Sequence, residues 1–551
     1  HLALSCCCTT PPDTEAAVLA ALAAASPLAA TLTSLDLHCG NAFQPELSQL
    51  TGLSHLSYLG IHSCRTVDDD ALRALPAALP RLRALALHEQ ASRRGRHVRG
   101  EGVAALAALP LLRVLALGCR QPDPRRLAAA LAALTQVAEL DLSRCDPGLL
   151  EVLGPLATME AGGGGGGGLV RMELPSAYTR RQLTSALPRV LRSAAAAGLR
   201  ELRLEATAAL PSELVGALSG LERLRALHVS HCGPPCGGGT AALGAALSGL
   251  TSFHLVQEGG GGGLAEAGEE DAAGGGGGWM AIGGGEGPGE AAVGGGWCDA
   301  LPCWTSLRQL ALTAVDSVTD GHLDLLGRRL PALAVFSLSR NAHATGAGFA
   351  SWPAGCARLA EVALYDCTEM GDAGVVHLSA ASSLTALTLA HLPAVGGDAV
   401  RHLAAHGTAL RMLTLERLAG APGSALAALW RLPQLEALHL RMCEVTNISL
   451  AAALTAGEGG GGESGGGGGG VQREKAQAQA QAQAASVEAG AGAVAGAVAG
   501  AVAAGAAAAA GRAPLLPCLV HLELRGCPVG DAAVERLRAS GLAVSTGMAW
   551  R

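Results

Sequence analysis

The chain has 551 residues, a formal net charge of −7, 49% hydrophobic residues and only 2% aromatic residues. Any core must therefore be aliphatic, and the mild acidity argues against nucleic acid as a partner, because phosphates call for a basic surface. Half of the 16 cysteines recur at one position of the repeat described below, which favours a reducing compartment over a secreted disulfide framework. We expect a cytoplasmic protein, with the nucleus or a cilium as alternatives.

A leucine pattern of the form LxxLxL recurs along the chain, which is the signature of a repeat architecture. From Leu307 to Leu435, the first leucines of successive LxxLxL patterns are 26, 26, 25, 26 and 25 residues apart. Such regular spacing over six patterns does not arise by chance. A half-unit containing Leu542 and Val544 is expected to close the array. The full units begin at Leu32, Leu56, Leu82, Leu112, Val137, Leu169, Leu199, Leu224, Leu250, Leu307, Leu333, Leu359, Leu384, Leu410, Leu435 and Leu519.

Each unit is predicted to form a strand, a turn and a helix. The strand leucines alternate with polar residues, and the helix leucines recur every three or four residues. One unit cannot bury its apolar side alone, so the units must stack. The predicted fold is an α/β leucine-rich-repeat solenoid, a right-handed horseshoe with a parallel sheet on its concave face and helices on its convex face. Short polar residues at the turns are predicted to cap the helices, namely Asp69, Asp320, Asp372, Asp398, Asn447 and Asp531.

Segments such as 359–379 resemble the cysteine-containing leucine-rich repeats of F-box-type ubiquitin-ligase substrate receptors. The likeness lies in LxxLxLxxC followed by a Gly-Asp-x-Gly turn into the helix. It implies protein recognition, and it implies a Skp1-like adaptor as a partner if an F-box lies upstream of His1. It also implies inward-pointing structural cysteines at Cys39, Cys64, Cys119, Cys145, Cys232, Cys367, Cys443 and Cys527.

Low-complexity stretches at 162–168, 258–296 and 457–511 interrupt the repeats. Such tracts bury too little to offset their ordering entropy, so we expect flexible loops that leave the stack of repeats continuous. A small-xxx-small pattern at Gly492, Gly496 and Gly500 is also found in membrane helices, but alanine and glycine are weakly apolar and no membrane partner is expected. The predicted organisation is an N-terminal array of about nine repeats at 1–257, a disordered insert at 258–296, a central array of about six repeats at 297–456, an insert at 457–511, and a final repeat with a cap at 512–551.

Motifs for catalysis or cofactor binding are missing from the sequence. His231, Cys232 and Cys236 lie close together, but a structural zinc site needs a second ligand pair of matching spacing, so no metal is predicted. The sequence lacks the phosphate-binding loop GxxxxGK[ST] and a dinucleotide-binding GxGxxG between a strand and a helix. It also lacks GxSxG, the turn that carries a nucleophilic serine. We therefore expect no enzyme, no catalytic residue, no cofactor and no small-molecule substrate.

The functional prediction concerns the sheet face. In LxxLxL the residues flanking the second and third leucines point away from the core, and such a polar surface suits an extended or convex protein. Two roles remain open, namely substrate recognition in a Skp1-cullin-F-box (SCF) type ubiquitin ligase and a ligase-independent scaffold in a ciliary or signalling complex. The residues predicted to bind the partner are His38, His62, His88, Asp141, Glu173, Arg203, His228, His254, Tyr365, Glu416, His439 and Arg441.

Overall fold

A computed structural model gives the fold of the chain in two compact units. The first comprises His1–Val318 with Arg328–Leu333, and the second comprises Thr319–Gly327 with Ala334–Arg551. The structure describes residues 2–5, 31–38, 47–64, 67–89, 98, 100–119, 123–153, 168–175, 182–192, 198–205, 210–231, 239–257, 297–445, 518–529, 531–539 and 542–546.

Parallel strands form one side of each unit, and within a unit each strand pairs with the next one in the chain. The strands of the first unit are β1 Leu2–Ser5, β2 Ser34–His38, β3 Tyr58–Cys64, β4 Ala84–Glu89, β5 Val114–Gly118, β6 Glu139–Asp141, β7 Arg171–Glu173, β8 Glu201–Glu205, β9 Ala226–Ser230, β10 Ser252–Val256 and β11 Gln309–Thr313. Those of the second unit are β12 Val335–Ser339, β13 Glu361–Tyr365, β14 Ala386–Ala390, β15 Met412–Glu416, β16 Ala437–Arg441, β17 His521–Arg525 and β18 Ala543–Ser545.

Short helices follow most of the strands. The α-helices are α1 Asp69–Ala78, α2 Glu101–Ala105, α3 Pro124–Ala133, α4 Leu187–Leu191, α5 Ser212–Ser219, α6 Gly239–Ala246, α7 Trp297–Ala300, α8 Asp320–Arg329, α9 Trp352–Gly355, α10 Asp372–Ser379, α11 Gly397–His406, α12 Gly423–Leu426 and α13 Asp531–Ala539. Tighter single turns occupy Leu47–Gly52, Leu106–Ala108, Pro147–Glu151, Leu301–Cys303, Ala347–Ser351 and Ala427–Arg431, and a wider turn occupies Gln182–Ala186.

The core of each unit lies between its strands and its helices. Strand residues alternate between buried leucines and half-buried or exposed polar positions, as in β8 and β16. Aromatic side chains are few, and they cluster where a strand meets a helix. Phe336 of β12 lies 4.7 Å from the Trp352 ring of α9, and Phe253 of β10 lies 5.5 Å from the Trp297 ring of α7. These features confirm the predicted α/β leucine-rich-repeat solenoid.

Every predicted repeat unit contributes a strand, and the predicted closing half-unit forms β18. Strand register is maintained across both long inserts, since Leu255 pairs with Leu312 and Leu440 pairs with Leu524. The inserts 258–296 and 457–511 themselves lie outside the described residues, so the proposed domain boundaries stay predictions. Sequence reasoning missed β1, which pairs with β2 through Leu4 and Leu37.

The predicted helix caps at Asp69, Asp372 and Asp398 are wrong, because each of these residues lies inside its helix. The residue that caps α1 is Asp68, whose side chain accepts a hydrogen bond from the Ala71 amide at 2.9 Å. Asp69 lies inside the helix, and its carboxylate accepts the Gly102 amide of the following repeat at 2.9 Å.

Aspartates at the start of two later helices also bridge to the next repeat. Asp320 begins α8 and bonds Gly346, and Asp372 begins α10 and bonds Gly396. Asp398 is the second residue of α11, Asp531 is the first residue of α13, and Asn447 lies outside the described residues. An aspartate in the first position of the helix thus joins consecutive repeats. Its carboxylate accepts hydrogen bonds from backbone amides in the turn before the helix of the following repeat, and these amides have no partner within that helix.

Candidate binding surface

In each unit, the side chains that project from the strands away from the core form a surface that we call the open sheet face. All twelve residues predicted to bind a partner occupy outward positions of strands on this face, and each of them is half-buried or exposed. Eight belong to the first unit and four to the second. Those of the first unit fall into three separate groups, and those of the second unit form one group.

The first group is a stack of histidines on β2, β3 and β4. His38, His62 and His88 are register partners, and their ring centroids lie 4.5 and 4.7 Å apart. Burial lowers the pKa of His62 although Asp36 opposes the shift. Burial, together with Arg144 and His62, lowers the pKa of His88 to about 4. The His88 imidazole is therefore neutral at physiological pH.

Asp36 completes this group, although sequence reasoning did not select it. It lies between the buried Leu35 and Leu37 of β2, and its Oδ1 atom is 2.9 Å from Nε2 of His62. Its position corresponds to that of Arg203 between Leu202 and Leu204 of β8. The same outward-position rule that selected Arg203 would have found Asp36.

The second group is a network of acids and arginines on β6, β7 and β8. Predicted residues Asp141, Glu173 and Arg203 lie here, and Arg203 approaches Glu173 at 3.6 Å. Burial and Asp141 raise the pKa of Glu173. The missed members are Glu139, Arg171 and Glu201, which complete ion pairs of 3.3 to 3.9 Å. Four carboxylates face two guanidinium groups, so this part of the surface carries excess negative charge.

The third group is a pair of histidines on β9 and β10. His228 and His254 are register partners with ring centroids 5.4 Å apart. Burial, His254 and Arg203 lower the pKa of His228 to about 4, and only Glu201 opposes them. This pair is separated from the His38 stack by the acidic strands, so the eight first-unit residues do not converge on one site.

The group in the second unit combines aromatic, charged and apolar side chains. Tyr365, Ala390, Glu416 and Arg441 occupy equivalent positions of four consecutive strands. Arg441 contacts Glu416 at 3.8 Å and Glu523 at 3.0 Å.

One large apolar side chain adjoins this row. Tyr365 is 39% exposed, and Met442, which directly follows Arg441, is 47% exposed. Met412 is also 47% exposed, but it lies at the opposite end of β15 from Glu416. We define the Tyr365 patch as Tyr365, Glu416, Arg441 and Met442. The remaining predicted residue, His439, lies beside it with Nδ1 at 4.0 Å from the Glu523 carboxylate.

A row of left-handed residues follows the strands. Directly after β12 to β16 come Arg340, Asp366, His391, Arg417 and Met442, all with φ between 49° and 56°. His231 after β9 and Ala314 after β11 adopt the same conformation. Their amides extend the sheet hydrogen bonding, as where Arg417 N donates to Arg441 O at 3.0 Å. The side chains thereby form a charged rim beside the Tyr365 patch, with His391 3.4 Å from Asp366 and 3.5 Å from Glu416.

Repeat cysteines lie on the core side of the strands. The thiols of Cys145, Cys367, Cys443 and Cys527 donate to carbonyl oxygens of the preceding repeat at 3.1, 3.7, 3.4 and 3.3 Å. Cys119 is buried. Cys39 and Cys232 lie outside the described residues, and for Cys64 only the backbone is described.

No protein-family model and no curated protein matches the sequence. Among solved structures, the chain is similar to a chain in the Rad7–Elc1 complex of yeast, with 16% identity, a TM-score of 0.39, and coverage of 78% of this chain and 84% of that chain. It is also similar to an internalin, InlF, of Listeria monocytogenes, with 14% identity, a TM-score of 0.31, and coverage of 78% and 94%.

Both TM-scores lie below 0.5, so the assignment of the fold rests on the chain's own parallel strands and leucine register. Within the described ranges, no helix is long and apolar enough to cross a lipid bilayer.

Proposed function

We propose that this chain is a non-enzymatic interaction module that binds a partner protein on its open sheet face, with the Tyr365 patch as the principal anchor. The observation that carries the proposal is that Tyr365, Glu416 and Arg441 occupy equivalent positions within four consecutive strands, beside the exposed Met442. Tyrosine, arginine and methionine are enriched in protein interfaces, and a tyrosine on a rigid strand loses little entropy on binding.

The charge on the face supports a protein partner over nucleic acid. Arg441 is already paired with Glu416 and Glu523, and carboxylates outnumber guanidinium groups on β6 to β8. Phosphates would meet repulsion on such a surface, whereas a protein with mixed charges can match it.

Affinity purification of the tagged full chain from cells tests the proposal. The variants are Tyr365→Ala and Arg441→Ala, and the matched control is Arg358→Ala, an exposed arginine in the loop before β13. We expect both patch variants to lose at least one partner by tenfold or more while the control retains it. Equal recovery of every partner by all four proteins, with unchanged melting temperatures, would disprove binding at the patch.

Within this role we propose substrate recognition in an SCF-type ubiquitin ligase, in the cytoplasm. The support is the repeat resemblance, in which the strand is followed by a cysteine and a Gly-Asp-x-Gly turn. Expression of the natural gene with its upstream sequence, followed by co-purification of a Skp1-like adaptor and a cullin, would support it.

The alternative is a ligase-independent scaffold in a ciliary or signalling complex. Reproducible partners that depend on Tyr365, recovered with no adaptor or cullin, would favour this alternative. Imaging of the tagged protein separates the cytoplasm from the nucleus and the cilium.

A further inference from the structure

Two neighbouring strands bring together three side chains of types that can bind metal ions. Asp36 and His38 are alternate residues of β2, so both project from the open sheet face. His62 of β3 is the register partner of His38. The three side chains therefore meet on one side of the sheet, although they come from two repeats.

Their donor atoms are close enough to share one ion. Nε2 of His62 lies 2.9 Å from Oδ1 of Asp36, and Nε2 of His38 lies 4.0 Å from Oδ2. All three donor atoms lie within 4.8 Å of one another. Bonds of about 2.0 Å to a tetrahedral zinc ion place donor atoms about 3.3 Å apart. A modest rotation of the His38 ring, whose side chain is 53% exposed, would bring the set to that spacing.

The carboxylate sits in a place that suits a cation. Oδ1 of Asp36 is shielded from solvent, and Nε2 of His62 approaches it at 2.9 Å. A shielded carboxylate whose charge is not balanced is costly, and a metal ion would balance it more fully than a neutral imidazole.

Gly60 makes room for this carboxylate. It is the register partner of Asp36, and a Cβ atom at Gly60 would lie 2.5 Å from Asp36 Oδ1 and 2.8 Å from the Tyr58 hydroxyl. Any other residue would displace the carboxylate from the two histidines. The His62 ring is held on both sides, by His38 at 4.5 Å and His88 at 4.7 Å. Packing therefore holds the Asp36 and His62 donors in place, and the exposed His38 ring is the donor that adjusts.

We propose that Asp36, His38 and His62 form a binding site for a divalent transition-metal ion, Zn²⁺ in the first instance. Two imidazole nitrogens and one carboxylate oxygen are a donor set typical of zinc sites that keep a fourth position open. That open position faces outward from the sheet, where water or a donor from another molecule completes the coordination. The proposal is independent of the Tyr365 patch, which lies on the other unit.

Isothermal titration of the metal-free full chain with ZnCl₂, repeated with Co²⁺ as a spectroscopic probe, tests the site. We expect one strong equivalent of Zn²⁺ and a visible Co²⁺ absorption that Zn²⁺ abolishes. Asp36→Asn and His62→Ala should weaken this equivalent by roughly 100-fold or more, since the loss of a direct ligand exceeds typical losses at outer residues. The matched control is His228→Ala, which removes a histidine from the pair that His228 forms with His254 in the same unit.

Asp36→Asn preserves the shape of the side chain, so its melting temperature in the absence of metal shows whether it folds normally. A Zn²⁺-dependent rise in melting temperature should occur in the wild type and the His228→Ala control but not in the site variants. Equal Zn²⁺ affinity in the wild type and in folded Asp36→Asn and His62→Ala would overturn the proposal, as would the lack of any Zn²⁺ equivalent in the wild type.

Discussion

The carboxylate of Asp320 and the backbone amide of Gly346 are joined by a hydrogen bond of 3.0 Å that links two consecutive repeats. The same carboxylate accepts the amides of Thr345 and Gly348, each at 3.1 Å, and the Thr345 hydroxyl at 2.6 Å. Burial raises the pKa of Asp320, but these hydrogen bonds outweigh it and lower the pKa overall. One side chain thus organises the turn that begins the next repeat.

Removal of this carboxylate should destabilise the second unit. We expect Asp320→Ala to cost about 2–3 kcal/mol and Asp320→Asn about half of that, because buried amides lose a charged acceptor. Amide hydrogen exchange at Thr345, Gly346 and Gly348 should accelerate in both variants. Since the pKa of Asp320 is lowered by folding, its contribution is present above the unfolded pKa and is lost as the pH falls through the folded pKa.

The control for this experiment is Asp316→Asn, an exposed aspartate shortly before the helix. A surface substitution of this kind should change stability by less than about 0.5 kcal/mol. Unchanged exchange at Gly346 in Asp320→Ala would show that the inter-repeat hydrogen bonds contribute nothing.

Gly346 itself should tolerate no side chain. Its φ is +94°, and an added Cβ would lie 2.6 Å from the Gly374 Cα atom and 2.7 Å from the Met370 sulfur. We expect Gly346→Ala to lower stability by about 2 kcal/mol or more, since strain and overlap add. Gly321 in α8 has no atom nearer than 3.8 Å to such a Cβ, so Gly321→Ala should stabilise by about 0.5–1 kcal/mol. Urea unfolding of the two variants measures both effects, and equal midpoints would contradict the geometry.

The His228 imidazole should make the first unit sensitive to acid. It faces His254 of β10 and Arg203 and Glu201 of β8, and burial together with His254 and Arg203 lowers its pKa to about 4. Between the unfolded value near 6.5 and the folded value, the unfolded state binds the extra proton, so stability falls as the pH decreases through this window. After allowance for partial exposure, the loss should be about 1–2 kcal/mol.

Melting temperatures at pH 7 and pH 5 measure this effect. His228→Gln keeps a neutral polar side chain and should lose less stability than the wild type between the two pH values. Parallel pH profiles for the two proteins would show that His228 protonation is not coupled to folding.

Alkylation should distinguish structural thiols from surface thiols. Burial raises the pKa of Cys356 to about 12 and the pKa values of Cys367 and Cys443 to about 11, whereas Cys303 and Cys518 are exposed. Because the thiolate is the reactive form, iodoacetamide should label Cys303 and Cys518 in the folded protein and the other three only in denaturant. Peptide mass spectrometry quantifies each site, and rapid labelling of Cys367 under native conditions would contradict its placement.

The leucine register made most of the fold predictable. Each buried strand leucine recurs at a fixed step, and a one-residue slip would turn the whole set outward, so the sequence has to preserve this pattern. It even carries across both inserts, as the pairing of Leu440 with Leu524 shows. β1 escaped notice because a single Leu2-x-Leu4 pair is too short to establish a period.

The composition of the candidate sites was harder to predict than the fold. Asp36 and His62 are 26 positions apart, and their 2.9 Å approach depends on which residues face each other across two strands. The bridging role of Asp320 was missed because a cap and a residue one position inside a helix look alike in sequence. The left-handed row has no sequence signal, since Arg340, Asp366, His391, Arg417 and Met442 share no chemical property.

If the rim takes part in the proposed binding, the left-handed row sets folding stability against recognition. Glycine would satisfy the backbone there, and each larger residue costs roughly 1 kcal/mol for its left-handed conformation. Replacement of Arg340, Asp366, His391 and Arg417 by glycine would therefore raise the stability of the fold and remove the charged side chains of the rim. These positions can be rewritten to change what the rim contacts without repacking a single leucine, which makes them natural entry points for engineering new specificity.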